Sequence, residues 1–174
     1  MAKTDKTKFI ERRLWAEKNI RGDFGCFEVT VGWYGKEIVD FITYKTNGEF
    51  RCYEIKVSVQ DFYSNARLSF LGDFNYYVIP IELLEKLRKH KEKEIRSGKW
   101  FSDRGQDLSK KFDETIKNQG IGLIVVHENG RVEPVINAKR KHPDLSVKMT
   151  LLQSMVRSLN LEVTKAYKNK GYWE

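Results

Sequence analysis

The sequence predicts an α/β domain in which a mixed central sheet is flanked by helices. Three observations favour this class: alternating β-branched segments typical of strands, charged segments with apolar residues at helical spacing, and two hairpin signals, Asn47-Gly48 and Asn129-Gly130. The chain has 174 residues, which is enough for one domain to bury a sizeable core. We therefore expect a single domain over residues 1–174.

The first half of the chain predicts a helix, an antiparallel three-stranded meander, a second helix and a strand. The first helix should begin at residue 5 and end at about residue 21, before Gly22. The elements that follow are strands over 25–33, 37–44 and 50–57 with a turn at 34–36, a helix from the N-cap Ser58 to Gly72, and a strand over 74–80. This αβββαβ order defines an expected core over residues 5–80.

The second half predicts a helix, a variable segment, a strand pair and a final helix. Residues 81–96 have helical spacing, whereas residues 97–119 are rich in Gly, Ser, Asp and Lys and should form an insertion or loop. The remainder, residues 120–170, should contain a buried strand over 120–127, its hairpin partner over 131–136 and a helix after Pro143. We expect the apolar stripe of that helix to face the core rather than another chain; it comprises Leu145, Met149, Leu152, Val156 and Leu159.

Composition indicates a reduced, basic protein outside the membrane. Cys26 and Cys52 lie in predicted strands without a zinc-binding spacing, so we expect buried thiols. No secretory signal or membrane-spanning run is evident, and a cytoplasmic protein is the expectation. The net charge of +8 favours polyanionic partners, because lysines and arginines that neutralise phosphates release counterions. The densest basic patch that could contact nucleic acid comprises Lys139, Arg140 and Lys141.

Three residues on the two strands that flank the Asn47-Gly48 turn predict a metal site. Glu54 and Lys56 alternate along one strand and therefore project from the same face. The Asn47-Gly48 hairpin should place Asp40, in the preceding strand, within a few ångströms of Glu54. Two carboxylates and the backbone carbonyl of Ile55 are oxygen ligands suited to Mg²⁺ or Mn²⁺. A metal held there would activate water for phosphodiester hydrolysis, while Lys56 would orient the nucleophile or stabilise charge on the phosphate.

A purely structural interpretation of the same residues is also open. An acid-x-lysine tripeptide arises by chance in a charged chain, although Glu54-Ile55-Lys56 is the only one in this sequence. Asp40 and Lys56 could then form a cross-strand ion pair on a solvated face, worth under roughly 1 kcal/mol.

The motif and its context resemble the PD-(D/E)XK, or restriction-endonuclease-like, nuclease superfamily. Val39-Asp40 stands where that family has Pro-Asp, and Glu54-Ile55-Lys56 stands where it has (D/E)xK, within a matching αβββαβ order over residues 5–80. Valine replaces the proline without loss of a ligand. With less specificity, the sequence to about residue 136 is similar to a small bacterial DNA-repair branch of the superfamily.

The resemblance also implies an acid from the first helix. The family often adds such a residue to its metal site, and Glu11 and Glu17 are the candidates here. Glu11 is favoured because Glu-Arg-Arg-Leu resembles the start of that helix in junction-resolving members. Either glutamate could equally be a solvated helix residue.

The resulting expectation is a Mg²⁺-dependent deoxyribonuclease, acting as an endonuclease in repair, recombination or phage and mobile-element DNA metabolism. The strandedness of the DNA, and DNA as against RNA, stay open. A homodimer is considered as well, because cutting both strands with one centre per chain needs two chains. The alternative is a non-catalytic nucleic-acid-binding or host-interaction protein on the same fold; a scaffold without a nucleic-acid partner is a third interpretation.

Overall fold

A computed structural model of the chain, which describes residues 3–32, 37–64, 70–98 and 108–169, contains one mixed six-stranded sheet with helices on both faces. The elements in chain order are α1 (Asp5–Lys18), β1 (Asp23–Thr30), β2 (Ile38–Lys45), β3 (Phe50–Ile55), α2 (Val59–Phe62), β4 (Phe74–Pro80), α3 (Ile81–Arg96), α4 (Lys111–Asn118), β5 (Gly122–Val126), β6 (Val132–Ile136) and α5 (Leu145–Asn169). The α/β class is thus confirmed. The turn expected at 34–36 lies outside the described residues.

The strands lie side by side in chain order, from β1 to β6. The predicted antiparallel meander of β1, β2 and β3 is confirmed, and Gly48 adopts the positive φ of 82° that its tight hairpin requires. The pairs β3–β4 and β4–β5 are parallel, and β6 closes the sheet antiparallel to β5. Three parallel strands therefore end at one edge of the sheet, and β3, which carries the acid-x-lysine motif, is among them.

Alternate residues of the central strands point to opposite faces of the sheet and pack into different hydrophobic cores. Tyr53 and Val78 point towards α1, where they pack with Ile10 and Leu14. Neighbouring positions on the opposite face pack under α3, α4 and α5, and the buried residues there include Tyr77, Ile79, Leu123, Cys26, Ile42 and Cys52. The two cysteines are free and buried, as predicted. Because β3 lies between both cores, its side chains are held rigidly on each face.

Two helices differ from the prediction. The helix that starts at the N-cap Ser58 ends at Phe62, and residues 65–69 of the expected helix lie outside the described residues. Phe70 has a left-handed φ of 46°, which a continuous helix to Gly72 would not allow. The expected loop over 97–119 contains α4 instead, while residues 99–107 are outside the described part.

Helix α4 forms because its few apolar residues are spaced for burial. Phe112 and Ile116 stand four residues apart, and both are buried under α3. Arg88 adds a two-point ion pair with Asp113, at 2.7 Å between Nη2 and Oδ2 and 3.1 Å between Nε and Oδ1. Because this segment is mostly polar, its sequence predicts a loop rather than this short amphipathic helix.

Other boundaries move by a few residues. Helix α1 ends at Lys18 with Asn19 as its C-cap, short of the expected residue 21. Strand β1 begins at Asp23, and β3 ends at Ile55 rather than residue 57. Over the described residues, no helix is both long and apolar enough to cross a membrane.

The apolar stripe predicted on α5 is not the side of the helix that faces the core. The helix turns Leu151, Ser154 and Met155 towards the sheet, whereas Leu145, Met149, Val156 and Leu159 are exposed. That expectation was wrong because helical spacing reveals that a stripe exists but not what covers it.

Buried Asp73 ties α5 to the central strands. One oxygen of its carboxylate accepts a hydrogen bond from the Phe50 N–H at 2.9 Å, and the other contacts the Lys148 ammonium at 3.1 Å. Lys148 also donates to the Gly48 carbonyl at 2.9 Å. One acid therefore fixes the start of β3, the hairpin before it and the first turn of α5.

We predict that Asp73→Ala lowers the free energy of unfolding by roughly 3 kcal/mol, because it leaves the buried Phe50 N–H without its acceptor and the Lys148 ammonium without its negative partner. Chemical denaturation followed by circular dichroism measures this change. The exposed hairpin variant Glu128→Ala is the control and should cost under about 0.5 kcal/mol. Equal stability of the two variants would contradict the anchoring role.

Candidate metal centre

Asp40 and Glu54 meet where the pairing of β2 and β3 stops. The ladder between these strands ends at Phe41–Tyr53, one residue short of Asp40 and Glu54. Beyond it, Asp40 Oδ2 accepts a hydrogen bond from the Ile55 N–H at 2.7 Å. A side-chain carboxylate thus takes the place of the missing strand carbonyl, and the predicted proximity of Asp40 and Glu54 is confirmed.

Strand β1, the other neighbour of β2, is irregular opposite Asp40. The β1–β2 register would pair Glu28 with Asp40, but the ladder skips that position, and Glu28 has a left-handed φ of 52°. Such an interruption bends a strand and redirects its side chains. Asp40 therefore lies at a local break in pairing on both sides of β2.

The two carboxyl groups interact directly with each other in a largely buried setting. Glu54 is 4% exposed and Asp40 is half-buried. Burial, and then the negative charge of Asp40, raise the pKa of Glu54 to about 9. Burial also raises the pKa of Asp40, against the opposing effects of the Ile55 N–H and the Lys56 charge. In the absence of a cation the pair is therefore expected to share a proton.

Lys56 completes the predicted trio. It follows the last residue of β3, and its N–H still donates to the Val78 carbonyl at 2.9 Å, so its backbone is held by β4. The residue is 6% exposed, and its positive charge acts on both Asp40 and Glu54. This burial argues against a solvated cross-strand ion pair with Asp40, and the ion-pair contact of Lys56 among the described residues is with Asp61 instead.

Asp61 orients Lys56. Ser58 Oγ accepts the Asp61 N–H at 3.1 Å as the N-cap of α2, and Asp61 Oδ2 in turn accepts the Val57 N–H at 3.1 Å. The other oxygen of Asp61 lies 3.6 Å from Lys56 Nζ. From its position just inside the helix that begins at Ser58, Asp61 was expected either to cap that helix or to support the metal site, and the spacing Ser58-x-x-Asp61 is the signal for the capping contact.

Tyr77 is a neighbour that the sequence did not reveal. The parallel register places it directly beside Glu54, and burial together with the Glu54 charge raises the pKa of Tyr77 to about 12. Its ring packs against Phe62 at 4.6 Å and Phe70 at 5.1 Å between centroids. These aromatic rings keep the dielectric low on one side of the carboxyl pair.

The first-helix acids are engaged elsewhere or exposed. Glu11 pairs with Lys3 at 2.6 Å, and Lys3 also contacts Glu28 at 2.8 Å. Glu17 is exposed and lies 3.5 Å from Lys18. Over the described ranges, no three His, Cys, Asp or Glu side chains are grouped to hold a metal ion. A role for Glu11 in the metal site stays a prediction.

The donor set nevertheless suits a hard cation. Two carboxylates repel each other when both are ionised, and a divalent cation bound between them relieves this repulsion. Mg²⁺ is commonly bound through one or two carboxylates and keeps several waters, so a third acidic side chain is unnecessary. Asp40 and Glu54, with the Ile55 carbonyl as the predicted third ligand, fit that requirement.

The basic patch lies at the other end of the sheet. The Lys141 N–H donates to the Asp73 carbonyl at 2.7 Å, and the Arg140 guanidinium lies 5.9 Å from the Phe74 ring centroid. Lys139, Arg140 and Lys141 are all exposed. Phe74 precedes Tyr77 by three residues, which places this patch about 10 Å along the strand from Glu54.

Comparison with known proteins adds information on the fold only. No protein-family model matches the chain, and no curated protein matches it. A solved structure of a protein of unknown function from Silicibacter pomeroyi is similar, with a TM-score of 0.65 and 13% sequence identity over 98% of this chain and 97% of that chain. At this identity the similarity shows only that nearly the whole chain has the same fold as that protein.

We predict that Glu54→Gln stabilises the metal-free protein at high pH. Because the folded-state pKa of Glu54 is raised from 4.5 to about 9, the folded chain retains a proton that the unfolded chain has lost. The free energy of unfolding therefore falls as pH rises between these values, and glutamine removes that loss. At pH 9 the gain should be about 1 kcal/mol or more, and near pH 4 it should vanish.

Thermal unfolding in the presence of a chelator, measured from pH 4 to pH 10, tests this prediction. Glu49→Gln is the matched control, since Glu49 is also buried but pairs with Arg51 rather than with another acid. If native protein and Glu54→Gln had parallel stability profiles, the shared-proton description would be wrong.

Proposed function

We propose that this protein is a metal-dependent phosphodiesterase that acts on DNA, built on a restriction-endonuclease-like core of the PD-(D/E)XK type. The observation that carries the proposal is the direct interaction of half-buried Asp40 with buried Glu54, with the positive charge of buried Lys56 acting on both. Taking two acids and a lysine out of water carries a desolvation cost, so this group is a poor device for stability. Perturbed groups of this kind concentrate at functional sites.

The order of elements supports the same proposal. Helix α1, the β1–β2–β3 meander, α2 and β4 follow the αβββαβ order of that core, with Asp40 in the second strand and Glu54 in the third. The parallel strand β4 then secures the end of β3 through the Lys56 N–H. Rigid strands thus position the three groups, which favours chemistry that needs precise geometry.

Each residue of the chain would have a separate task. Asp40, Glu54 and the Ile55 carbonyl would hold the ion, whose chemistry would be to polarise a phosphate oxygen and lower the pKa of a bound water. The Ile55 N–H fixes the rotamer of Asp40. The Lys56 ammonium would stabilise negative charge on the phosphate or orient the attacking water, and the Asp61 carboxylate restrains that ammonium.

The net charge of +8 supports a polyanionic substrate. Lys139, Arg140 and Lys141 are exposed near the start of β4, about 10 Å along the strand direction from the level of the carboxyl pair. Contacts there would position the substrate without specifying its sequence.

We predict that the native chain cleaves DNA with Mg²⁺ or Mn²⁺, and that Asp40→Asn and Lys56→Met each reduce cleavage at least about 100-fold while DNA binding survives. Labelled single-stranded, duplex and branched DNA, with RNA alongside, should be compared at matched salt. The controls are Glu49→Gln and Lys45→Met, which remove another buried acid and a lysine paired with Asp23.

Binding without metal-dependent cleavage of any of these substrates would replace the proposal by the non-catalytic nucleic-acid-binding function. Unchanged cleavage in Asp40→Asn would show that the centre lies elsewhere.

A second prediction separates orientation of Lys56 from capping of α2. Asp61→Asn keeps an acceptor for the Val57 N–H but removes the charge beside Lys56, so kcat should fall about 10-fold with KM unchanged. Ser58→Ala removes the cap but keeps the Asp61 carboxylate, and its kcat should fall less. Equal losses in both variants would reduce Asp61 to a capping residue.

A further inference from the structure

One side of α5 carries an uninterrupted apolar stripe at heptad spacing. When Met149 is assigned to position a, every a and d position over more than three heptads is apolar. The a positions are Met149, Val156 and Val163, and the d positions are Leu145, Leu152, Leu159 and Ala166. We call these seven residues the α5 seam. They span residues 145–166, about 33 Å of helix.

The seam is exposed although its helix is firmly anchored. Leu145 is 76% exposed and Val156 is 58% exposed, and the remaining members are exposed except for half-buried Leu152. The residues that face the sheet, Leu151, Ser154 and Met155, lie roughly 100° around the helix axis from the seam. One side of α5 therefore belongs to the core, while a second side presents apolar side chains to solvent.

Several polar contacts fix the anchored side. Ser154 Oγ accepts the Gly32 N–H at 3.0 Å, and the Arg157 guanidinium donates to the Gly32 carbonyl at 3.0 Å. Lys148 is held by Asp73. Because these contacts hold the first half of α5 in place, the seam cannot turn inward to become core.

The residue types indicate a second α5 as the partner. β-Branched residues at a with leucine at d favour two-stranded parallel coiled coils, and the central heptads have Val156 and Val163 at a with Leu152 and Leu159 at d. An apolar repeat sustained at this period is what such pairing requires.

The charge around the seam favours the same partner. In a chain with a net charge of +8, the e and g positions from residue 146 to residue 167 contain only one lysine and one glutamate. The lysine is Lys148, which pairs with Asp73, and the glutamate is Glu162, which pairs with Lys165. Two copies could therefore approach here without like-charge repulsion, whereas nucleic acid or an anionic membrane would find little positive charge.

The area is sufficient for a dimer. Burial of a Val or Leu side chain removes roughly 60–120 Å² from water, and about half of that is still exposed at the seam, so the seam contributes about 300 Å² of apolar surface per chain. The flanking e and g side chains, apart from Met155, which packs on the sheet, would about double this value. Two chains then bury roughly 1,200 Å² in total, the lower range of specific interfaces.

We propose that the α5 seam pairs in parallel with the α5 seam of a second copy, so that the protein is a homodimer held by a two-stranded coiled coil. This inference does not depend on the proposed function, because every observation behind it concerns α5 and its packing.

Analytical ultracentrifugation of the full chain tests the inference. The native chain should sediment at twice the chain mass of 20.5 kDa, and Val156→Glu and Leu159→Glu should each weaken association at least about 100-fold. Leu161→Glu is the matched control, since Leu161 is 56% exposed on the same helix but lies outside the seam. Circular dichroism checks that all variants fold.

Cysteine cross-linking tests the orientation of the two helices. Met149→Cys and Val163→Cys are made separately. In each variant the new cysteine should form a disulfide with the same cysteine of the second chain under mild oxidation, because residues at position a face each other across a parallel seam. The native cysteines are buried. A native chain that remains monomeric, loss of the dimer in Leu161→Glu, or a dimer in which neither variant cross-links would overturn the proposal.

Discussion

The hydrogen bond from the Ile55 N–H to the Asp40 carboxylate organises the centre of this molecule. A buried backbone donor must find an acceptor, and on β3 the next strand carbonyl is replaced by a side chain. This replacement ends the β2–β3 ladder and fixes Asp40 against Glu54. Two acids that would separate in water are thereby held in contact in a nearly dry part of the sheet.

The rest of the sheet compensates for this arrangement. β3 and β4 form a parallel pair that continues to the Lys56 N–H, and Tyr77 closes the side of Glu54. Away from the site, Asp73 gives β3, the hairpin and α5 a common anchor. Within the described part of the chain, every buried side-chain nitrogen and oxygen has a hydrogen-bond partner. The Asp40–Glu54 pair nevertheless retains a charge repulsion that a proton or a divalent cation relieves.

Local patterns predicted the elements whose signals are local. The alternation of β2 and β3 and the Asn47-Gly48 turn were enough to place Asp40 opposite Glu54, and helix α3 was predicted over its observed range. Tyr77 was missed because a parallel register depends on the crossover that joins β3 to β4, which sequence spacing does not encode. The contact of Asp61 with Lys56 likewise depends on how α2 packs against the end of β3, although the start of α2 at Ser58 was predicted.

Helices were misjudged when burial rather than periodicity decided their role. Helix α4 is short and polar, and only the packing of Phe112 and Ile116 under α3 stabilises it. On α5, a strong stripe was assigned to the core, yet the weaker side with Ser154 and Met155 packs on the sheet. The stronger stripe is instead the seam, because its heptad period matches a partner helix rather than a flat sheet.

Asp40 and Glu54 are proposed to form a site for one divalent cation. Electron paramagnetic resonance of Mn²⁺ measures free and bound ion directly, without reference to any substrate. We expect one bound ion per native chain, and binding weakened at least about 10-fold in both Asp40→Asn and Glu54→Gln but unaltered in Glu49→Gln. A native chain that binds no Mn²⁺ at neutral pH, or binding that both site variants retain, would show that Asp40 and Glu54 do not hold a divalent cation.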